Sequence, residues 1–282
     1  MSKMIWWMGG AVAVALALGG GAATAQQAEP WKPGAKRIDP NVGLAQSRMA
    51  PTGQTPRGAD GKVDFTGAWG AGWPSPFGAY GRRLIDTSEP DQATMQRGNQ
   101  WNKPIYKPEF WDKVHALDFS EIDVDIVYNC GERGVPRLGP PSRIMQTGKE
   151  IWLLYGGDTV RVIQIGAKHE EDDTDYDTFN GRSVANWEGD TLVIDSVGFN
   201  DRTWLRWQGY FHSANMKVRE TLRREGNLLY WQNTVTDPEV LAQPWTSDVS
   251  VRRLNPNAES PEERAVCDER DAEGIVDRFY RG

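Results

Sequence analysis

The chain has 282 residues, with 32 Lys+Arg against 39 Asp+Glu, a net charge of −7, and 13 Trp, 3 His and 2 Cys. That length suits one large domain or two small ones, and the acidic balance speaks against nucleic acid or an anionic membrane surface as partner, because both demand basic patches. So few Cys exclude a disulfide-dense scaffold and a thiolate-rich zinc module, and so few His leave little for a His-rich metal site.

Residues 1–25 read as a secretory signal peptide. Lys3 supplies the positive start, residues 4–18 are apolar, and Ala23-Thr24-Ala25 offers small residues to a signal peptidase. A membrane anchor is the weaker reading, because the apolar run falls short of a span and dissolves into Gly19-Gly20-Gly21. The expected location is periplasmic or secreted, with no stable membrane insertion after cleavage. Export into an oxidising compartment makes a Cys130–Cys267 disulfide the natural use of the two thiols. Residues 26–62, rich in Pro, Gly and Ala, read as an extended or disordered leader.

A single β-rich domain is expected over 63–282, opening on Val63-Asp64-Phe65-Thr66-Gly67-Ala68-Trp69. Residues 70–145 are irregular, with one short helix expected around 108–117. Strands follow at 151–155, 159–165, 182–187, 191–197, 216–224, 228–236 and 247–254, each rich in β-branched or aromatic residues. Gly156-Gly157, Gly189 and Gly226 sit between polar residues at tight turns, which is hairpin chemistry. The fold class is all-β: an antiparallel meander that closes into a barrel or packs as a sandwich, with a loop-rich segment and one or two short helices.

Gly67-Ala68-Trp69 resembles the Gly-x-Trp first strand of lipocalin-like barrels. A longer resemblance covers roughly residues 60–270. Residues 181–193 (Gly-Arg-Ser-Val-Ala-Asn-Trp-Glu-Gly-Asp-Thr-Leu-Val), residues 198–205 (Gly-Phe-Asn-Asp-Arg-Thr-Trp-Leu), His212-Ser213, Asp237-Pro238 and Pro244-Trp245-Thr246 are similar to the signature of a widespread, largely uncharacterised family of exported bacterial β-rich proteins. The resemblance implies one exported β-rich domain and supplies no reaction. The acidic run after His169 departs from the Pro-containing loop usual there.

Alternation over 216–223 puts Met216, Val218, Glu220 and Leu222 on one strand face, so a carboxylate falls on the apolar side. Such a group suits proton transfer, or is paired structurally with an inward Arg, or swings out at a bulge. His212, just before that strand, and Asp195, between Val193 and Val197, are the candidates to complete a catalytic set with Glu220. Arg182, Arg202 and Arg219 are candidates to hold an anionic part of a substrate, and Trp204 and Trp207 to stack on it, because loop aromatics are less readily explained by core packing. Asp173, Asp175 and Asp177 have the one-three-five spacing of a calcium loop, but Thr178 stands where Gly is needed and Val184 where a bidentate Glu belongs. A solvated acidic loop is the stronger reading, and no cofactor is expected. Nucleotide-binding, nucleophile-elbow and zincin motifs are absent from the sequence. The favoured function is cofactor-independent acid–base chemistry, as a lyase, hydratase or hydrolase, on a small organic or sugar-like substrate. The alternative is a non-catalytic binding protein for an apolar, aromatic or glycan ligand.

Overall fold

The computed structural model describes residues 50–71, 90–91, 96–97, 104–116, 125–156, 159–206, 209–247 and 249–258. Nine strands form its wall: β1 (Gly67–Ala71), β2 (Arg143–Gln146), β3 (Glu150–Leu154), β4 (Val160–Ile165), β5 (Arg182–Glu188), β6 (Thr191–Val197), β7 (Lys217–Glu225), β8 (Leu228–Thr236) and β9 (Ser250–Leu254). Each pairs with the next in sequence, and β9 pairs with β1, so the sheet closes into a barrel. The barrel, not the sandwich, is the architecture. The short helix is α1 (Trp111–His115), entered through a 3₁₀ turn at Pro108–Phe110.

The expectation of a purely antiparallel meander needs one correction. In a closed ring whose neighbours all run antiparallel, strand directions alternate and the number of strands must be even. Nine strands therefore require a parallel pair, and it lies between β4 and β5, with Gln164 opposite Val184 and Ile165 opposite Ala185. A parallel connection must travel back along the barrel, which needs a dozen or more residues. Residues 166–181 make that crossover and carry the acidic run. They lie along the outside of β5 and β6. Asn186 Nδ2 donates to the Ala167 carbonyl at 3.1 Å, Asp173 holds Arg182, and His169 Nε2 lies 3.1 Å from the Asp195 carbonyl. β2 escapes sequence reading because Arg-Ile-Met-Gln is too short to show a period.

The strand following residue 244 breaks in two. Trp245–Thr246 pairs with the end of β8, and β9 pairs with its beginning, with the register slipping by one residue between Thr234↔Thr246 and Trp231↔Ser250. That is a β-bulge, and it bends the strand toward closure with β1.

Alternation then sorts the core. Trp69, Ile144, Ile151, Leu153, Ile163, Ala185, Leu192, Ile194, Val218, Leu222, Leu229 and Trp231 are buried inward-facing residues. One end is shut by the chain before β1. Trp69 Nε1 donates to the Phe65 carbonyl at 3.0 Å, and Arg224 lies over the Trp69 ring while donating to the carbonyls of Asp64 and Gly226. Residues 50–62, read as part of the leader, are docked on this end. The Asn227 N–H donates to the Thr52 carbonyl at 3.0 Å, the Gly226 N–H to Thr55 Oγ1 at 2.9 Å, and Arg57 pairs with Asp190.

Gly198 at the end of β6 has φ +74°, and an added Cβ would collide with the Asp173 carbonyl of the crossover. Gly189 has φ +62° with open space around it. Gly198→Ala should therefore cost at least about 2 kcal/mol and Gly189→Ala about 1 kcal/mol. Urea unfolding midpoints of the two variants check the ordering.

Candidate functional site

Glu220 faces the barrel interior, as alternation requires, and is 1% exposed. Its Oε2 lies 2.7 Å from Arg161 Nη2, and its Oε1 accepts from Trp231 Nε1 at 3.1 Å. Arg161 comes from β4 and Glu220 from β7, so the guanidinium must cross β5 and β6. It can do so because both present serine inward. Arg161 Nη2 donates to Ser183 Oγ at 3.0 Å and Ser196 Oγ at 3.3 Å, and Nη1 donates to the Tyr155 hydroxyl at 3.0 Å. Burial opposes the charge on Arg161, yet Glu220 and Tyr155 hold its pKa above the ordinary value. Burial pushes the Tyr155 phenol up to about 12, against the pull of Arg161. Neither carboxylate oxygen is turned to solvent. Glu220 is thus an ion-paired centre of the wall, the structural alternative weighed for it. Arg161 was legible too: alternation over 159–165 places it on the same face as Ile163 and Ile165.

The other two members of the expected set lie elsewhere. Asp195 is on the outer face of β6, 41% exposed, with Arg219 at 3.5 Å. Val193 and Val197 share that outer face; the inward row is Leu192, Ile194 and Ser196. His212 is buried in the loop layer, before β7 begins. Its Nδ1 lies 2.9 Å from the Ser213 carbonyl, which can only accept, so Nδ1 carries the proton. Its Nε2 then accepts from the Thr203 hydroxyl at 2.8 Å. Burial lowers the His212 pKa, with the Ser213 carbonyl and Asp237 opposing, so the imidazole is held neutral. The next residue, Ser213, donates through N–H and Oγ to the two oxygens of Asp237, at 2.7 and 2.8 Å. Glu220, His212 and Asp195 therefore do not converge: one is inside the barrel, one above it and one outside it.

The candidate binding residues are equally dispersed. Arg182 holds Asp173 and lies over Tyr176, Arg202 lies over Phe179, and Arg219 bonds Glu188 and faces Asp195 on the outer wall. Trp204 is half-buried under Arg137, whose guanidinium makes a two-bond pair with the buried Asp125 at 2.7 and 2.6 Å. Sequence reading missed Thr203, Arg137 and Asp125, because only tertiary contact joins them to His212 and Trp204. Trp207 and Cys267 lie outside the described residues. Asp173 is buried and occupied by His169, Arg182 and the Glu170 N–H, whereas Asp175 and Asp177 are exposed. No group of three or more metal-ligating side chains comes together among the described residues.

Comparison with protein-family models, with curated proteins and with solved structures finds no match.

Two predictions follow from these pairs. Glu220→Gln leaves Arg161 buried without its counter-charge and should cost about 3–5 kcal/mol, whereas the double replacement Glu220→Leu/Arg161→Met should recover most of that loss. A double-mutant cycle by chemical denaturation measures it. Because the folded His212 pKa is lowered, the unfolded chain takes up a proton first as pH falls below about 6.5, and the His212 contribution to stability is lost over that fall. Stability measured from pH 7.5 to 5 should decline, and His212→Asn should flatten that part of the profile.

Proposed function

We propose that this chain is an exported, non-catalytic binding protein that holds a small organic ligand against the inner wall of its barrel. The carrying observation is two buried polar atoms, one on β8 and one on β9, that have no hydrogen-bond partner among the described residues. Asn233, opposite Glu220 in the β7–β8 register, has its Oδ1 buried with no hydrogen-bond partner, and so has the Nε of Arg252 on β9. Each such atom costs about 1–3 kcal/mol in a folded protein, and a bound ligand supplies what the wall lacks. Export after Ala25 and a Cys130–Cys267 disulfide belong to the same reading. They predict a mature chain beginning at Gln26 whose mass rises by two hydrogens on reduction and denaturation, checked by intact-mass spectrometry of protein secreted from a bacterial host.

Binding is tested by thermal unfolding against a panel of small aromatic acids, aromatic amides and sugars. A ligand selective for the folded state raises Tm progressively with concentration. A panel member should do so for the parent protein and lose its effect in Asn233→Leu; no stabilisation by any member would count against the reading.

Acid–base catalysis keeps one supporting observation, the Thr203–His212 hydrogen bond, in which a neutral imidazole faces a hydroxyl and is oriented by the Ser213 carbonyl. In that reading His212→Gln abolishes turnover of a substrate that the parent converts.

A further inference from the structure

The inward-facing charges of the strands do not balance. On the described strands they are Arg161, Glu220, Arg224 and Arg252. Glu220 answers Arg161 at 2.7 Å. Arg224 is answered by the carbonyls of Asp64 and Gly226, by the Trp69 ring and, at longer range, by the Asp64 carboxylate. Among the described residues nothing answers Arg252. It stands opposite Leu229, between Ser250 and Leu254 on its own strand, so its inward neighbours are a buried leucine, a buried serine and a half-buried leucine. Among the described residues it has no ion pair and no side-chain hydrogen bond, its Nε is buried, and burial lowers its pKa from the usual guanidinium value. The next residue, Arg253, is exposed to solvent on the outer face, so a solvated position lay one step away along the strand.

An arginine keeps its charge in a protein, so partial burial without a counter-charge is destabilising to the fold. The arrangement makes sense when the missing charge arrives with a ligand. Resting on the binding reading above, we propose that Arg252 anchors an oxyanion, and that the ligand of this protein is a small organic acid whose carboxylate, sulfonate or phosphate meets the Arg252 guanidinium while its apolar part lies against the half-buried Leu254. The planar guanidinium fork matches such a group through two parallel hydrogen bonds, and the apolar neighbours disfavour a fully hydrated inorganic ion.

The test uses the mature protein and three probes of similar size or shared charge: benzoate, its neutral analogue benzamide, and inorganic phosphate. Binding is read by intrinsic Trp fluorescence and by the shift in Tm. Benzoate should bind saturably and at least tenfold more tightly than benzamide, phosphate more weakly than benzoate, and Arg252→Gln should abolish the difference between benzoate and benzamide while Arg252→Lys retains part of it. The ligand-free Arg252→Gln protein should melt no lower than the parent, because it loses a buried charge without breaking a pair. Arg253→Gln, one residue along on the outer face, should leave benzoate binding unchanged. If benzoate and benzamide bind equally, or Arg252→Gln leaves benzoate binding intact, the anion site is wrong and the binding reading survives. If Arg252→Gln melts far below the parent, Arg252 belongs to the scaffold and the anion site is again overturned. If phosphate binds as tightly as benzoate, the organic part of the proposal fails. If none of the three binds, the anion site is overturned, and the binding reading falls with it only when no member of the wider panel, sugars included, raises Tm.

Discussion

The Arg161–Glu220 ion pair ties β4 to β7 across the two strands between them, and its span crosses the parallel seam between β4 and β5. That seam is short: β4 and β5 share two residue pairs, whereas β7 and β8 share an unbroken antiparallel ladder from Lys217↔Thr236 to Glu225↔Leu228. Inside, the guanidinium spans the seam through Ser183 and Ser196 to reach Glu220. Outside, the crossover spans it again, with Gly166 N–H on the Ala185 carbonyl, Asn186 on Ala167 and Asp173 on Arg182. This short junction is thus clamped from both faces. A hydrophobic pair of the same volume would fill the interior as well, but it would not specify which strand Arg161 reaches.

Much of the wall was legible. The strands at 191–197 and 228–236 lie where alternation and turn glycines put them, and Glu220 faces inward for the same reason. Period two sorts residues into two faces without saying which is the inner one, and Asp195 shows the consequence. It shares a face with Val193, and Val193 is buried, so hydrophobicity alone assigns that face to the core. Only the neighbouring strands reveal that Ile194 and Ser196 point inward. The parallel seam, the Thr203–His212 bond and the Arg137–Asp125 pair were not legible at all, because each joins residues whose proximity is decided by how the loops close over the barrel.

The tryptophans divide along the same line. Trp69, Trp231 and Trp245 are buried, and the indole N–H groups of Trp69 and Trp231 reach acceptors, which is how an indole is accommodated in a core. Trp152 differs: it stands on the outer face of β3 between Met145 and Val162, its cross-strand partners, and all three are exposed. Of the seven tryptophans among the described residues, three are thus buried core, and aromatic count alone says little about a ligand.

The closing seam has a consequence for how the domain comes to exist. It joins β1 to β9, pairing Trp69 with Leu254 and Ala71 with Arg252, so the first strand of the barrel finds its second neighbour only when the last has been made. Contacts that distant in sequence carry the largest loop-closure cost, and chains dominated by them fold slowly. Until that seam forms, β1 offers an unpaired edge and Arg252 is not yet enclosed. Pairing with β1 therefore completes the enclosure of a charge that the open sheet would leave more solvated.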